Sequence, residues 1–232
     1  MRKVLFGAFA VMLVAAAPVR AQGDRPVHFN IGGGFTMPLS DIGERFGTGG
    51  GFNAGVLFEP SKVFAFGVEY AWNGLSGNTT EIPLSIDPDF SVGPANTAII
   101  ESKHDMHSIT FNGLLQTSPD NKARFYGIGG IGAYHRNIAL TTPDIGFTTY
   151  CDPYWYFCYP AAVEIDRVVG DRASWDTGMN LGAGVTFKLG EAALFYVETR
   201  WHYIWGPEFT GTDGEVRNAN GQYFPVTFGF RF

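Results

Sequence analysis

Charge is scarce in this chain, and long apolar runs are scarcer. Charged residues fill 16% of the 232 positions, against roughly 25% in an average globular domain. No apolar run reaches the roughly 20 residues that a membrane-spanning helix needs, which excludes a helical membrane protein. Basic clusters are missing too. The chain carries 16 Lys and Arg against 22 Asp and Glu, a formal charge of −6, so no nucleic-acid partner is expected. Cysteine is limited to Cys151 and Cys158. With no His close to them in sequence, a zinc site is not expected, and no other metal or cofactor is implied.

The longest apolar run stands at the start. Arg2 and Lys3 precede an apolar stretch over residues 4–17, and Val19-Arg-Ala21 is a small-x-small site before Gln22. This order is that of a secretory signal, and about 14 apolar residues are too few for an anchor. Export with cleavage after Ala21 is expected, leaving one domain over residues 22–232. That domain holds 13 basic and 22 acidic residues, a formal −9. In an exported protein the pair Cys151 and Cys158 reads as a disulfide closing an eight-residue loop. The chain-entropy value for such a loop is about 2.5 kcal/mol, which restrains the loop more than the fold.

Aromatic residues are abundant at 16%, and the 31 glycines fall inside alternating segments rather than in a linker. The closing stretch shows the pattern most clearly. Val226, Phe228, Phe230 and Phe232 occupy every second position, with Thr227, Gly229 and Arg231 between them. Period two is a β-strand with two different faces. The bulky face runs uncharged to the end while Arg231 lies opposite, which suits a strand between lipid and the inside of a closed barrel. An edge strand of a soluble β-domain is the alternative for the ten residues Tyr223–Phe232 alone.

Seven further segments alternate in the same way, over residues 27–37, 51–58, 64–73, 106–116, 124–135, 176–187 and 195–203. The fifth places Tyr126, Ile128 and Tyr134 opposite Gly127, Gly129 and Ala133, although Phe125 and Ile131 contradict that phase. Connections alternate between long (38–49, 74–104, 136–172, 205–221) and short (59–62, 118–121, about 190). Lys, Arg, Asp and Glu are absent from the assigned bulky faces. Each Arg or Lys on a lipid face near the midplane costs about 2–4 kcal/mol, so this exclusion has a physical cause. Aromatics gather in two bands. Phe58, Phe64, Phe187, Phe195 and Phe232 lie near the short turns, and Tyr70, Trp72, Trp201, Tyr203 and Trp205 near the long loops. The expected fold is all-β, a single eight-stranded antiparallel up-and-down transmembrane barrel. A soluble lipocalin needs the reverse placement of bulk and charge.

Residues 32–49, the run Phe125-Tyr-Gly-Ile-Gly-Gly-Ile-Gly-Ala-Tyr134 and the Phe-ended last strand resemble the small outer-membrane β-barrel family, the OmpA/OmpX/OmpW-like group. The resemblance covers residues 22–232 and specifies architecture rather than activity. It implies location in the outer membrane of a diderm bacterium, both termini periplasmic, and contact with outer-membrane lipid and lipopolysaccharide. It also implies a final strand, through Phe228, Phe230 and Phe232, read by the barrel-assembly machinery. No OmpA-type peptidoglycan-binding domain is expected after the barrel, and a monomer is expected.

Three functional classes follow. Glu69, Glu198 and Arg200 face the lumen, the two carboxylates at similar depth and Arg200 two residues higher, as a static plug or as a gate. The expected function is non-enzymatic, structural or surface-interacting through loops. Tyr150, Tyr154, Trp155, Tyr156, Phe157 and Tyr159 around the cysteines are candidate contact residues for an extracellular ligand. The alternative is OmpW-like passage of small apolar molecules. A lipid A-modifying enzyme would draw on His104, Asp105, His107 and Ser108, but His107 and Ser108 fall on opposite faces of one strand. No catalytic residue is assigned.

Overall fold

The computed structural model describes residues 26–83, 97–117, 123–151, 158–190, 193–210 and 214–232. The signal segment and the tip residues Tyr154, Trp155, Tyr156 and Phe157 lie outside them. The described residues form β1 (Val27–Leu39), a short helix α1 (Asp41–Arg45), β2 (Gly49–Phe58), β3 (Phe64–Pro83), β4 (Thr97–Gln116), β5 (Ala123–Cys151), β6 (Cys158–Lys188), β7 (Leu194–Trp205), β8 (Glu208–Thr210), β9 (Val216–Asn218) and β10 (Gly221–Arg231). Strands β1 to β7 and β10 close into one antiparallel barrel, each beside its neighbour in sequence, with β1 sealing against β10. The seal reaches the last residue. Phe29 and Phe232 exchange both backbone hydrogen bonds, at 3.0 and 2.8 Å. Strands β8 and β9 make a separate two-stranded ribbon.

The register sets the barrel's shape. Stepping between cross-strand partners from Phe29 leads through Val56, Val68, Phe111, Ile131, Met179, Tyr203 and Gln222, and returns to β1 at Leu39. The path comes back ten residues further along, so the shear is ten for eight strands. With ordinary strand spacings this gives a tilt of about 40° and a backbone radius of about 8 Å, a lumen that side chains can fill.

Outside, the apolar side chains have no protein to cover them. Phe29 is 60% exposed, Ile131 66% and Leu181 65%, in the company of Phe35, Val56, Val68, Phe111, Phe228 and Phe230. A continuous belt of this kind faces hydrocarbon, since a water-facing surface rarely holds so large an apolar patch. From Phe195 to Trp205 the belt rises about 25 Å at this tilt, the height of an outer-membrane barrel's apolar band.

Seven strands face as expected. The fifth, whose phase the sequence leaves divided, buries Tyr126, Ile128 and Tyr134 in the lumen and turns Phe125 and Ile131 out. Space explains this choice. A Cβ at Gly184 would strike the Tyr126 ring, one at Gly178 the Tyr134 ring, and one at Gly32 or Gly229 the Tyr196 side chain. Glycines of β1, β6 and β10 leave the inward volume that tyrosines of β5 and β7 fill.

Two of the expected long loops are also corrected. Residues 74–104 and 136–172 largely continue the strands as hairpins. β3 and β4 pair up to Pro83 and Thr97, and β5 and β6 pair up to Cys151 and Cys158. β4 accompanies β5 as far as Glu101 opposite Thr141, beyond which β5 and β6 pair with each other. The seventeen residues from His135 to Cys151 reach about 50 Å along the strand. Backbone ladders hold these extensions beyond the rows that close the barrel.

Candidate functional site

The lumen is filled in layers. At its centre Arg200 on β7 crosses to Glu69 on β3, with Nη1 to Oε1 at 2.8 Å and Nη2 to Oε2 at 3.0 Å. The same guanidinium donates through Nε and Nη2 to Glu198 Oε1. The structure therefore brings all three expected residues together, and all are buried. Local sequence allows this. Arg200 pairs with Gly182, where a Cβ would come within 2.8 Å of the Arg200 stem.

Neutral donors complete the cluster. Asn30 and Asn53 donate to Glu69 Oε2 at 3.0 and 2.9 Å. Tyr126 donates to Glu198 Oε2 at 2.8 Å, and Tyr196 donates to Asn53 Oδ1 at 3.1 Å. Below them the Arg231 guanidinium lies 5.4 Å from the Tyr126 ring centre and 5.8 Å from that of Tyr196. Two carboxylates thus face two guanidinium groups in a closed space, so the buried charge is balanced. The inward phase of Asn30, Asn53 and Arg231 is readable from period two, but their convergence on one carboxylate pair needs the register.

Apolar layers close both sides. Met106, Tyr134, Ile204 and Tyr223 pack above, and Leu57, Ala65, Leu114, Tyr126 and Ile128 below. Between the centre and the upper layer the Tyr134 and Tyr223 hydroxyls both meet His202 Nδ1 at 3.0 Å. Cavities of about 20 and 10 Å³ remain, each lined in part by Glu69, Glu198 and Arg200. Each has room for about one water molecule.

The outer mouth is covered as well. Arg136 is paired with Asp176, with Nε to Oδ2 at 2.8 Å, and donates through Nη1 to the Ala219 carbonyl at 2.8 Å. Phe46, just after α1, lies with its ring 5.1 Å from that of His104. His104 stands three residues outside the aromatic belt and is 2% exposed, with neither ring nitrogen hydrogen-bonded. Burial, and then the Arg136 cation, hold its pKa down to about 4 against the opposing pull of Asp105. The His104, Asp105, His107 and Ser108 group does not converge. His104 and Ser108 are buried in the lumen, whereas His107 belongs to the outward set on the same strand. Among the described residues no group of three or more His, Cys, Asp or Glu is placed to hold a metal ion.

The closed eight-stranded barrel, its apolar exterior and its polar plugged lumen define a small β-barrel of the outer-membrane type. Solved structures share this fold. A major outer membrane protein from Thermus thermophilus aligns with a TM-score of 0.50 at 10% identity, covering 90% of this chain and 99% of that one. Neisserial surface protein A gives 0.47 at 12% identity over 90% and 98%. The N-terminal barrel of Pseudomonas aeruginosa OprF gives 0.43 at 11% identity over 90% and 98%. No family model matches the chain, and no curated protein matches it. At such identities the likeness is one of fold.

Proposed function

We propose that this is a non-enzymatic barrel of the bacterial outer membrane, with a structural role or one carried by its hairpins outside the membrane. The observation behind this reading is the Arg200–Glu69–Glu198 plug, sealed by apolar layers, beneath two hairpins that extend well past the aromatic belt. Its carboxylates are saturated by donors and offer neither a general base nor a nucleophile. Passage of small apolar molecules would need a space that these layers occupy. The reading includes lipid and lipopolysaccharide around the belt, an extracellular ligand on the hairpins, and a monomer. It also includes Phe228, Phe230 and Phe232 as the signal for the assembly machinery. Planar-bilayer recording of the refolded protein tests it. The wild type is expected to leave the bilayer conductance at the protein-free level, and discrete channel openings would replace this reading with one of passage.

The same reading includes a Cys151–Cys158 disulfide at the tip of the longest hairpin. The two residues are direct cross-strand partners. Directly opposed residues of an antiparallel pair have Cα atoms about 4.5–5.5 Å apart, inside the roughly 4.4–6.8 Å range of disulfides. Non-reducing peptide mapping of envelope-derived protein should recover the two cysteines in one linked peptide. Replacing both by Ser should leave the barrel's heat-modifiable gel shift intact, because the pair lies far outside the closed ladder. Two free thiols in envelope-derived protein would contradict the bridge.

A further inference from the structure

Five histidines are present. His28, His104 and His202 belong to the inward set, at positions alternating with the exposed belt residues. The remaining two, His107 on β4 and His135 on β5, belong to the outward set, and they are direct cross-strand partners. Their ring centres are 6.2 Å apart. They lie in one register row with Trp72 and Trp175, so the row reads Trp72, His107, His135, Trp175 across four strands. Both rings are half-buried at the outer aromatic belt, where water and headgroup oxygens are available.

We propose that His107 and His135 form the protein half of a site for a borderline divalent transition-metal ion, such as zinc, copper or nickel. Neutral imidazole suits these ions, with metal–nitrogen distances of about 2.0–2.1 Å. Two imidazoles on one tetrahedral ion have ring centres about 5 Å apart, about 1 Å closer than those of this pair. Tyr70 supplies the outer support. Its hydroxyl oxygen lies 2.7 Å from His107 Nδ1. When Nδ1–H donates to that oxygen, Nε2 keeps its lone pair for the ion, the arrangement that orients metal-ligating histidines. Tyr70 belongs to β3, so this bond fixes the side of the ring away from His135. On the far side His135 packs against Trp175 with ring centres 4.8 Å apart, which limits its own freedom.

The surrounding charge favours a cation. Asp105 and Asn137 are the next outward pair along the same two strands, one pleat above the histidines. A carboxylate there attracts a metal ion and opposes a phosphate group, which two imidazoles alone would also accept. Water or a headgroup oxygen fills the remaining coordination positions. The site stands apart from the lumen and does not depend on the plug.

Titration of refolded, tag-free mature protein with copper(II), followed by calorimetry and electron paramagnetic resonance, tests the proposal. One equivalent should bind with a spectrum of two nitrogen ligands. His107→Gln and His135→Gln should each weaken binding at least tenfold, and Tyr70→Phe about tenfold through the lost support. All three variants should keep the heat-modifiable shift, since the positions face outward. Equal copper affinity in the wild type and the His107→Gln/His135→Gln double variant would overturn the site, as would a one-nitrogen spectrum in the wild type.

Discussion

Replacing Arg200 by alanine is expected to destabilise the folded barrel by about 3–5 kcal/mol, because it leaves two buried carboxylates without their cation. The donors from Asn30, Asn53 and Tyr126 remain, but they are neutral and cannot balance the charge. Arg231 is already held between two tyrosine rings in the layer below. Urea midpoints of protein folded into thin-chain vesicles, read by tryptophan fluorescence and by the gel shift, measure the loss. A second variant separates charge from packing. Glu69→Gln, Glu198→Gln and Arg200→Met together remove the charges while keeping most of the volume. Buried ion pairs are often replaceable in this way at little cost, so the triple variant should come within about 2 kcal/mol of the wild type. An Arg200→Ala midpoint equal to that of the wild type would mean that the cluster is hydrated, and the plug would not be dry.

The cluster is legible without the fold because charge is rare in this chain. Glu69, Glu198 and Arg200 interrupt otherwise apolar or small alternation, and period two puts them all on the inward side. Reading bulk as lipid-facing throughout puts Tyr126, which donates to Glu198, on the wrong face. That rule fails on β5. The lumen wall opposite is glycine at positions 178, 182 and 184, so bulk is needed inside, and Phe125 with Ile131 outside carry the correct phase. The hairpin extensions are illegible for a different reason. Segments 74–104 and 136–172 are rich in polar residues and proline and carry no apolar side that repeats every second residue. Backbone pairing alone gives no period to read. The outward pair His107 and His135 shows a third limit. Their separation of 28 positions means nothing until the register of β4 and β5 sets them side by side.

Phe228→Arg is expected to cost about 2–4 kcal/mol, since the new charge would meet hydrocarbon near the midplane of the membrane. Phe228 is 43% exposed on the outside of β10, four residues above the terminal Phe232. At this tilt it lies about 10 Å inside the lower edge of a belt about 25 Å tall. Its neighbour Thr227 faces inward, opposite Glu198, and lines the 20 Å³ cavity. The lumen accepts polarity there but not bulk. Thr227→Asn, which adds little volume, should cost under about 1 kcal/mol. Thr227→Arg would face Glu198, whose oxygens are already taken by Arg200 and Tyr126, and the cavity is far too small for a guanidinium group, so overpacking of about 1–3 kcal/mol governs its effect. Phe232→Ala separates kinetics from stability. Its backbone still pairs with Phe29, so refolded protein should keep its urea midpoint within about 1 kcal/mol, while the assembled yield in cells falls if the terminal aromatic is what the assembly machinery reads. Urea midpoints in thin-chain vesicles rank the charge variants, and envelope fractionation measures the yield. Phe228→Arg as stable as Thr227→Asn would mean that β10 does not divide lipid from lumen, and the assignment of its two faces would be wrong.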